Sequence, residues 1–387
     1  MPSRYQQLAD AVEGYTQTGV SLVGSRKGSL YPAGFSDDMG IYYFIPKLAV
    51  FFGIPLDHAI NLFFAGTALI ALITCLAGLF LLYKQVNQRI TALVILSAAS
   101  CIALRNGDVY IIPFFFSLAA LSWVLYAAGK QEPGKSAYLV FPIIAFLLPI
   151  ANTVRSHSGT GILVFIITLF LAAKGKTGKK AIIVLAMLIA GLGPTLFFNH
   201  VVHVRNEYLK QRAPMSPVSD GEHPFWHSVY IGLGFIDNPY VEKYLDEVAI
   251  EKVRSVNPKA RFLSPEYSEI LRQETVKIVR EHPQFVFMNL AAKAGVIALY
   301  FILFMNVGLA AACAWRKPWP IDLAFWAGLS VNSLFGLLVV PYPNYLLGFI
   351  AFASLYCLVS INHGLAGITV RAFTKKLFLG RRHICAE

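Results

Sequence analysis

Residues 57–83 read DHAINLFFAGTALIALITCLAGLFLLY, with no acidic or basic residue after His58. A helix of that length rises about 40 Å at 1.5 Å per residue, more than the roughly 30 Å hydrocarbon core of a bilayer. The pattern recurs. Further apolar runs lie at 89–104, 109–128, 137–153, 159–173, 181–199, 286–313, 320–340 and 344–363, several of them close to the short limit of about 17 residues. Composition agrees, since 56% of the 387 residues are hydrophobic and only 14% charged, against about a quarter charged in soluble domains. The predicted fold class is an all-α polytopic membrane protein with about nine transmembrane helices, because a helix satisfies its own backbone polar groups in lipid.

The formal charge of +12 raises the question of nucleic acid, so its distribution matters. Lys84, Arg89, Lys130, Lys135, Lys174, Lys176, Lys179, Lys180, Arg316, Lys317, Arg371, Lys375, Lys376, Arg381 and Arg382 all fall in alternate connections or in the C-terminal tail. The short connections on the other side hold only Arg105 and Arg155. By the positive-inside rule the tail is cytoplasmic and the N-terminus outside. The excess charge is therefore a topology signal, and no nucleic-acid partner is implied. The five cysteines (Cys75, Cys101, Cys313, Cys357 and Cys385) lie in spans or the tail, without disulfide or metal-type spacing outside.

The expected organisation is an external loop at 1–56, six spans within 57–199, an external module at 200–285, three spans within 286–363 and a basic cytoplasmic tail at 364–387. Residues 1–47 are mixed polar and Gly-rich and read as an external loop more than as a chain start. A first transmembrane helix is therefore expected to be missing, the alternative being that the first span draws this tail across. In the external module, helices are expected near 239–256 and 265–282. Ser264 suits the cap of the second and Pro265 its first position. Tyr267, Ile270, Leu271 and Ile278 share one face at helical spacing, as for a helix lying on the membrane surface.

The candidate chemistry gathers on the outer side. Asp37 and Asp38 precede an aromatic segment, Gly40-Ile41-Tyr42-Tyr43. Adjacent carboxylates raise one another's pKa, which suits a general base for a hydroxyl; the alternative is a pair that caps the helix starting near Met39. Arg105, Arg155, His157, His203 and Arg205, with His200, sit where spans emerge and are candidates for phosphate. Otherwise they snorkel to lipid headgroups. The run Glu222–Phe235 offers His223, Trp226, His227 and Tyr230 as a sugar-binding shelf, or as an aromatic interfacial belt. Tyr342 and Asn344 lie in a rigid outer turn, Pro341-Tyr342-Pro343-Asn344-Tyr345. His200, His203, His223 and His227 are a weaker zinc candidate: no carboxylate or Cys completes a pattern, so no metal site is assigned and no cofactor required, a divalent metal remaining conceivable without support from the sequence.

Taken together, Asp37-Asp38 with Gly40-Ile41-Tyr42-Tyr43 resembles the acidic motif of the first external loop in the GT-C superfamily of membrane glycosyltransferases. Glu281-His282-Pro283-Gln284-Phe285, running into a span with Lys293, resembles the stretch before a late helix in many members. The family places its acidic loop after a first transmembrane helix, which this sequence lacks. The resemblance implies an inverting transfer from a polyprenyl-phosphate-linked sugar donor to a glycan, lipid or protein acceptor, with Asp37 or Asp38 as base. The expected setting is a bacterial inner membrane with the active site facing the periplasm, the alternative being an ER membrane with the site facing the lumen. The rival expectations are an O-antigen-type polymerase or ligase using diphosphate-linked donors, and a transporter or flippase.

Overall fold

The computed structural model describes residues 2–34, 37–107, 109–128, 137–172, 177–213 and 225–382. Residues 2–34 and 37–52 are built largely into regular structure. Helix α1 (Pro2–Thr18) lies against a hairpin of β1 (Val23–Arg26) and β2 (Ser29–Pro32), and α2 (Met39–Phe52) follows. The pieces are tied by polar groups as well as by packing. Buried Asp10 of α1 accepts from Gln6 at 2.8 Å, from Arg26 at 2.9 Å and from the Tyr31 hydroxyl, and the Tyr42 hydroxyl donates to Gln7 at 2.8 Å. Helix α2 ends at Gly53 in the left-handed region, φ 60°, where glycine costs nothing.

Nine helices occupy the nine predicted spans: α3 (Leu56–Leu82), α4 (Val86–Arg105), α5 (Ile111–Ala128), α6 (Ala137–Val154), α7 (Thr160–Ala172), α8 (Thr177–Arg212), and later three more. Among the described residues eight helices are long and apolar enough to cross a membrane. The exception is α7, with 13 residues and a rise of about 20 Å. The protein is an integral membrane protein. Helix α8 continues well past the predicted end at 199, because no breaker follows Pro194 within it and Glu207 pairs with Lys210 along its surface. His200, His203 and Arg205 are thus helical.

In the module, α9 (Phe225–Gly232) leads through a 3-10 turn (Leu233–Phe235) to α10 (Asp246–Val256) and α11 (Pro265–Glu281). The first predicted module helix starts late. Asn238 explains this: its side-chain oxygen accepts from the N–H of Tyr240 and of Val241, and its amide donates to Leu233, Ile236 and Val241 carbonyls. Such a turn competes with helix. Ser264 caps α11 as expected, accepting from Tyr267 N–H at 3.2 Å. The apolar face of α11, read as membrane-bound, instead closes the module's own core: Tyr267, Leu271 and Ile278 are buried with Tyr230, Ile231, Ala249 and Val253.

Helices α12 (Pro283–Ala314), α13 (Trp319–Leu338) and α14 (Leu347–Arg382) complete the bundle. Helices α5 and the outer part of α14 are mostly buried, whereas α3, α8 and α12 expose apolar side chains such as Ile70, Leu188 and Val307. The two buried helices form the axis and the others the lipid-facing ring. At the end remote from the module, Gln88 of α4 and Asn362 of α14 bond each other's backbone carbonyls at 3.1 and 3.2 Å, and Lys317 pairs with Asp322 at 3.0 Å.

Candidate functional site

The site forms where α2 begins and α6 ends. Gly40 permits the contact: a Cβ there would lie 2.8 Å from both the Thr153 hydroxyl and the Val154 N–H nitrogen, so a side chain would push the helices apart. The close approach places Ser156 N–H 2.7 Å from the Asp37 carbonyl, and brings the Arg155 guanidinium against the Asp37 carboxylate. The other arm of Arg155 donates to the Tyr110 hydroxyl at 2.5 Å, its plane standing 4.7 Å from that ring's centre. Planar, forked Arg geometry suits such a double engagement.

Asp38 occupies the position before the first residue of α2, but its carboxylate makes no capping bond. It turns away to Arg4 of α1, whose Nε donates at 2.5 Å. The Asp38 side chain is fully buried, whereas that of Asp37 keeps 11% of its surface. The second Asp38 oxygen has no hydrogen-bond partner among the described residues. Burial, and then the like charge of Asp37, push the Asp38 carboxyl up to about 6, against the pull of Arg4 and Arg155. Burial disfavours the Arg155 cation, yet Tyr110, Asp37 and Asp38 together hold its pKa above the usual value.

This arrangement has a consequence for pH dependence. Asp38 titrates near 6 when folded and at about 4 when unfolded. Within that window the folded state holds more protons, so stability is greatest below it and declines as pH rises through it. The contribution is on the order of 3 kcal/mol. The apparent Tm of the wild type is expected to climb as pH is lowered from about 7 to about 5, and Asp38→Asn to lose that climb. Equal slopes in the two proteins would assign the effect to another group.

An aromatic link joins this pair to the module. The Tyr110 and Tyr345 rings stand 5.2 Å apart, and the Tyr244 hydroxyl donates to that of Tyr345 at 3.3 Å. Tyr342 packs edge-on against Tyr244 at 5.9 Å and is half exposed, and Asn344 is partly buried in the same turn. Arg105, His157 and His203 are exposed, at the ends of α4, after α6 and on α8. Arg205 is buried on α8 and donates to Asn206 at 2.9 Å.

The expected sugar shelf is placed differently. His227 is buried, with Nδ1 2.7 Å from the Tyr267 hydroxyl and Nε2 3.1 Å from Asp246. Its bond to Asp246 is the main cause that lowers the Asp246 carboxyl, burial opposing it. Tyr230 is buried in the module core and Trp226 packs onto that core. These residues hold the module together because their apolar bodies complete its small core. His223 lies outside the described residues. The exposed His200 and His203 do not share the buried setting of His227, and no group of three or more His, Cys, Asp or Glu suited to a metal occurs among the described residues.

The chain was compared with family models, curated proteins and solved structures, and nothing matches in any of the three.

The sequence reading had no hold on Arg4, Tyr110 or Tyr244, and met Tyr345 only as the end of the outer turn. Arg4 lies 34 positions from its partner and Arg155 lies 118 from its own, and no local pattern announces either pairing. Lys293, singled out only for its position in a span, is buried in α12 with its ammonium 5.8 Å from the centre of the Phe235 ring.

Proposed function

We propose that the protein is an inverting membrane glycosyltransferase of the GT-C kind, moving a sugar from a polyprenyl-phosphate donor to an acceptor hydroxyl. The observation that carries this reading is the Asp37 carboxylate, largely buried but with 11% of its side chain accessible, paired with Arg155 at the end of α6. An apolar groove reaches the same turn. It has a volume of about 560 Å3 and is lined by α2, α3, α5 and α6, from Leu139 up to Val154. In this reading the phosphate-proximal part of the donor's hydrocarbon chain lies in that groove, with its phosphate near Arg155, the residue after lining residue Val154.

In this reaction Asp37 takes the proton of the acceptor hydroxyl as its oxygen attacks the anomeric carbon. The bond from that carbon to the phosphate oxygen breaks on the opposite side, and its electron pair leaves with polyprenyl phosphate. Arg155, with exposed Arg105 and His157 at the same end of the bundle, gives positive charge to the departing phosphate. Asp38 and Arg4 are positioning residues, tying the start of α2 to α1. The excess of Lys and Arg in the alternate connections and the tail supports a site on the non-cytoplasmic face, which in a bacterial inner membrane is the periplasmic one.

The test is sugar transfer by purified, reconstituted protein offered a panel of radiolabelled sugars linked to polyprenyl monophosphate or diphosphate. Transfer from monophosphate donors alone is the expected result. Transfer only from diphosphate-linked donors would replace this reading by a polymerase or ligase of the O-antigen type. Lipid or sugar flux without any transfer would replace it by transport.

A further inference from the structure

A second groove flanks α6 on the side away from the first. It is larger, about 930 Å3, and runs between α6, α7 and α8 up to Met39, the residue after Asp38. One turn of α6 serves both: Ala151 and Val154 line the first groove, Asn152 and Thr153 the second. The two grooves therefore converge on the turn that presents Arg155 to Asp37. Their mouths differ. The first is lined almost wholly by apolar side chains, whereas the second ends among Asn152, Thr153, Thr195 and Asn199. Beside that mouth stand exposed His200 and His203, adjacent in sequence to lining residues Asn199 and Val202. The lining contains no carboxylate.

We infer that the second groove holds the acceptor, and that the acceptor is a membrane lipid with an anionic, hydroxyl-bearing headgroup. The apolar walls of α7 and α8 take its hydrocarbon chains, and the amide and hydroxyl groups at the mouth bond its headgroup. The imidazole N–H groups of exposed His200 and His203 donate to its phosphate. A headgroup at this mouth has its hydroxyls beside Asp37, on the other face of α6 from the donor chain. That opposition is what an in-line displacement with inversion needs. The inference rests on the transferase reading for its chemistry, but the binding itself does not depend on it.

The experiment is photo-crosslinking in vesicles, with phosphatidylglycerol or phosphatidylcholine carrying a diazirine in one acyl chain. The expected result is labelling concentrated on α7 and α8, at Leu163 and Leu192 for example, for phosphatidylglycerol above phosphatidylcholine. Thr195→Trp, which fills the groove from an exposed lining position, is expected to reduce that labelling about tenfold, or roughly 1.4 kcal/mol. Even labelling around the whole lipid-facing ring, or equal labelling by the two lipids, would overturn the inference. A parallel assay follows labelled sugar from donor into organic-extractable or water-soluble product. Transfer into soluble glycan or peptide by both the wild type and Thr195→Trp overturns the lipid acceptor while leaving the transferase reading intact. Groove-specific labelling without transfer from any donor leaves the lipid site standing and removes the transferase.

Discussion

Asp37→Asn is expected to lower the rate of sugar transfer about 10²–10⁴-fold, the range for loss of a general base, while the protein stays folded. Asparagine keeps the shape of the carboxylate and can still accept from Arg155, but it cannot take up the acceptor's proton. The substitution leaves the Arg155 charge without its anion in a site where its side chain is 11% exposed, so a fall in stability of at most about 3 kcal/mol is also expected. Two readouts separate the effects. Single-turnover transfer at saturating donor reports the chemical loss, and Tm reports the structural one. Asp38→Asn acts on a group that is sealed from solvent and bound to Arg4, so its effect on rate is expected to be much smaller. If both variants transferred sugar at the wild-type rate, the role given to this pair would be wrong. If only Asp38→Asn abolished transfer, the roles of the two would be exchanged.

The second large effect is structural and starts in α1, outside the predicted spans. Gly14 of α1 faces the backbone of β1, where a Cβ would lie 2.2 Å from the Val23 carbonyl oxygen and 2.8 Å from its carbon. The strand cannot retreat easily: Val23 is buried and paired with Pro32, and Arg26 and Tyr31 are fastened to Asp10. Gly14→Val is therefore expected to lift α1 off the hairpin, at a cost at or above the usual 1–3 kcal/mol or so for overpacking. Because α1 also carries Arg4, the clamp on Asp38 loosens and transfer falls along with Tm. Gly66→Ala is the control, since a Cβ there meets nothing within 4 Å and alanine favours a helix by about 0.5–1 kcal/mol. An unchanged Tm for Gly14→Val would mean that α1 does not sit tightly on the hairpin in the membrane-bound protein.

The transmembrane helices were legible because crossing a bilayer is a local requirement. About twenty apolar residues in a row satisfy it whatever surrounds them, and 57–83 and 286–313 were read nearly to the residue as α3 and α12. The Ser264 cap was legible for the same reason, since its partner is three residues away. Element starts were lost where a side chain captured the backbone, as Asn238 does before α10. The module's aromatic and histidine residues were misplaced because an amphipathic pattern says which side chains leave water without saying what covers them. His227 and the face of α11 found each other. By itself the sequence determined the helical spans and the segregation of charge between their ends, and it marked Asp37 and Asp38 as worth attention. Only the tertiary structure decided that Asp38 turns from its helix to Arg4, that Arg155 pairs with Asp37 beside Tyr110, and that α6 parts two grooves. Those are contacts between residues tens to more than a hundred positions apart, fixed by how whole helices pack, and no local run of residues encodes them.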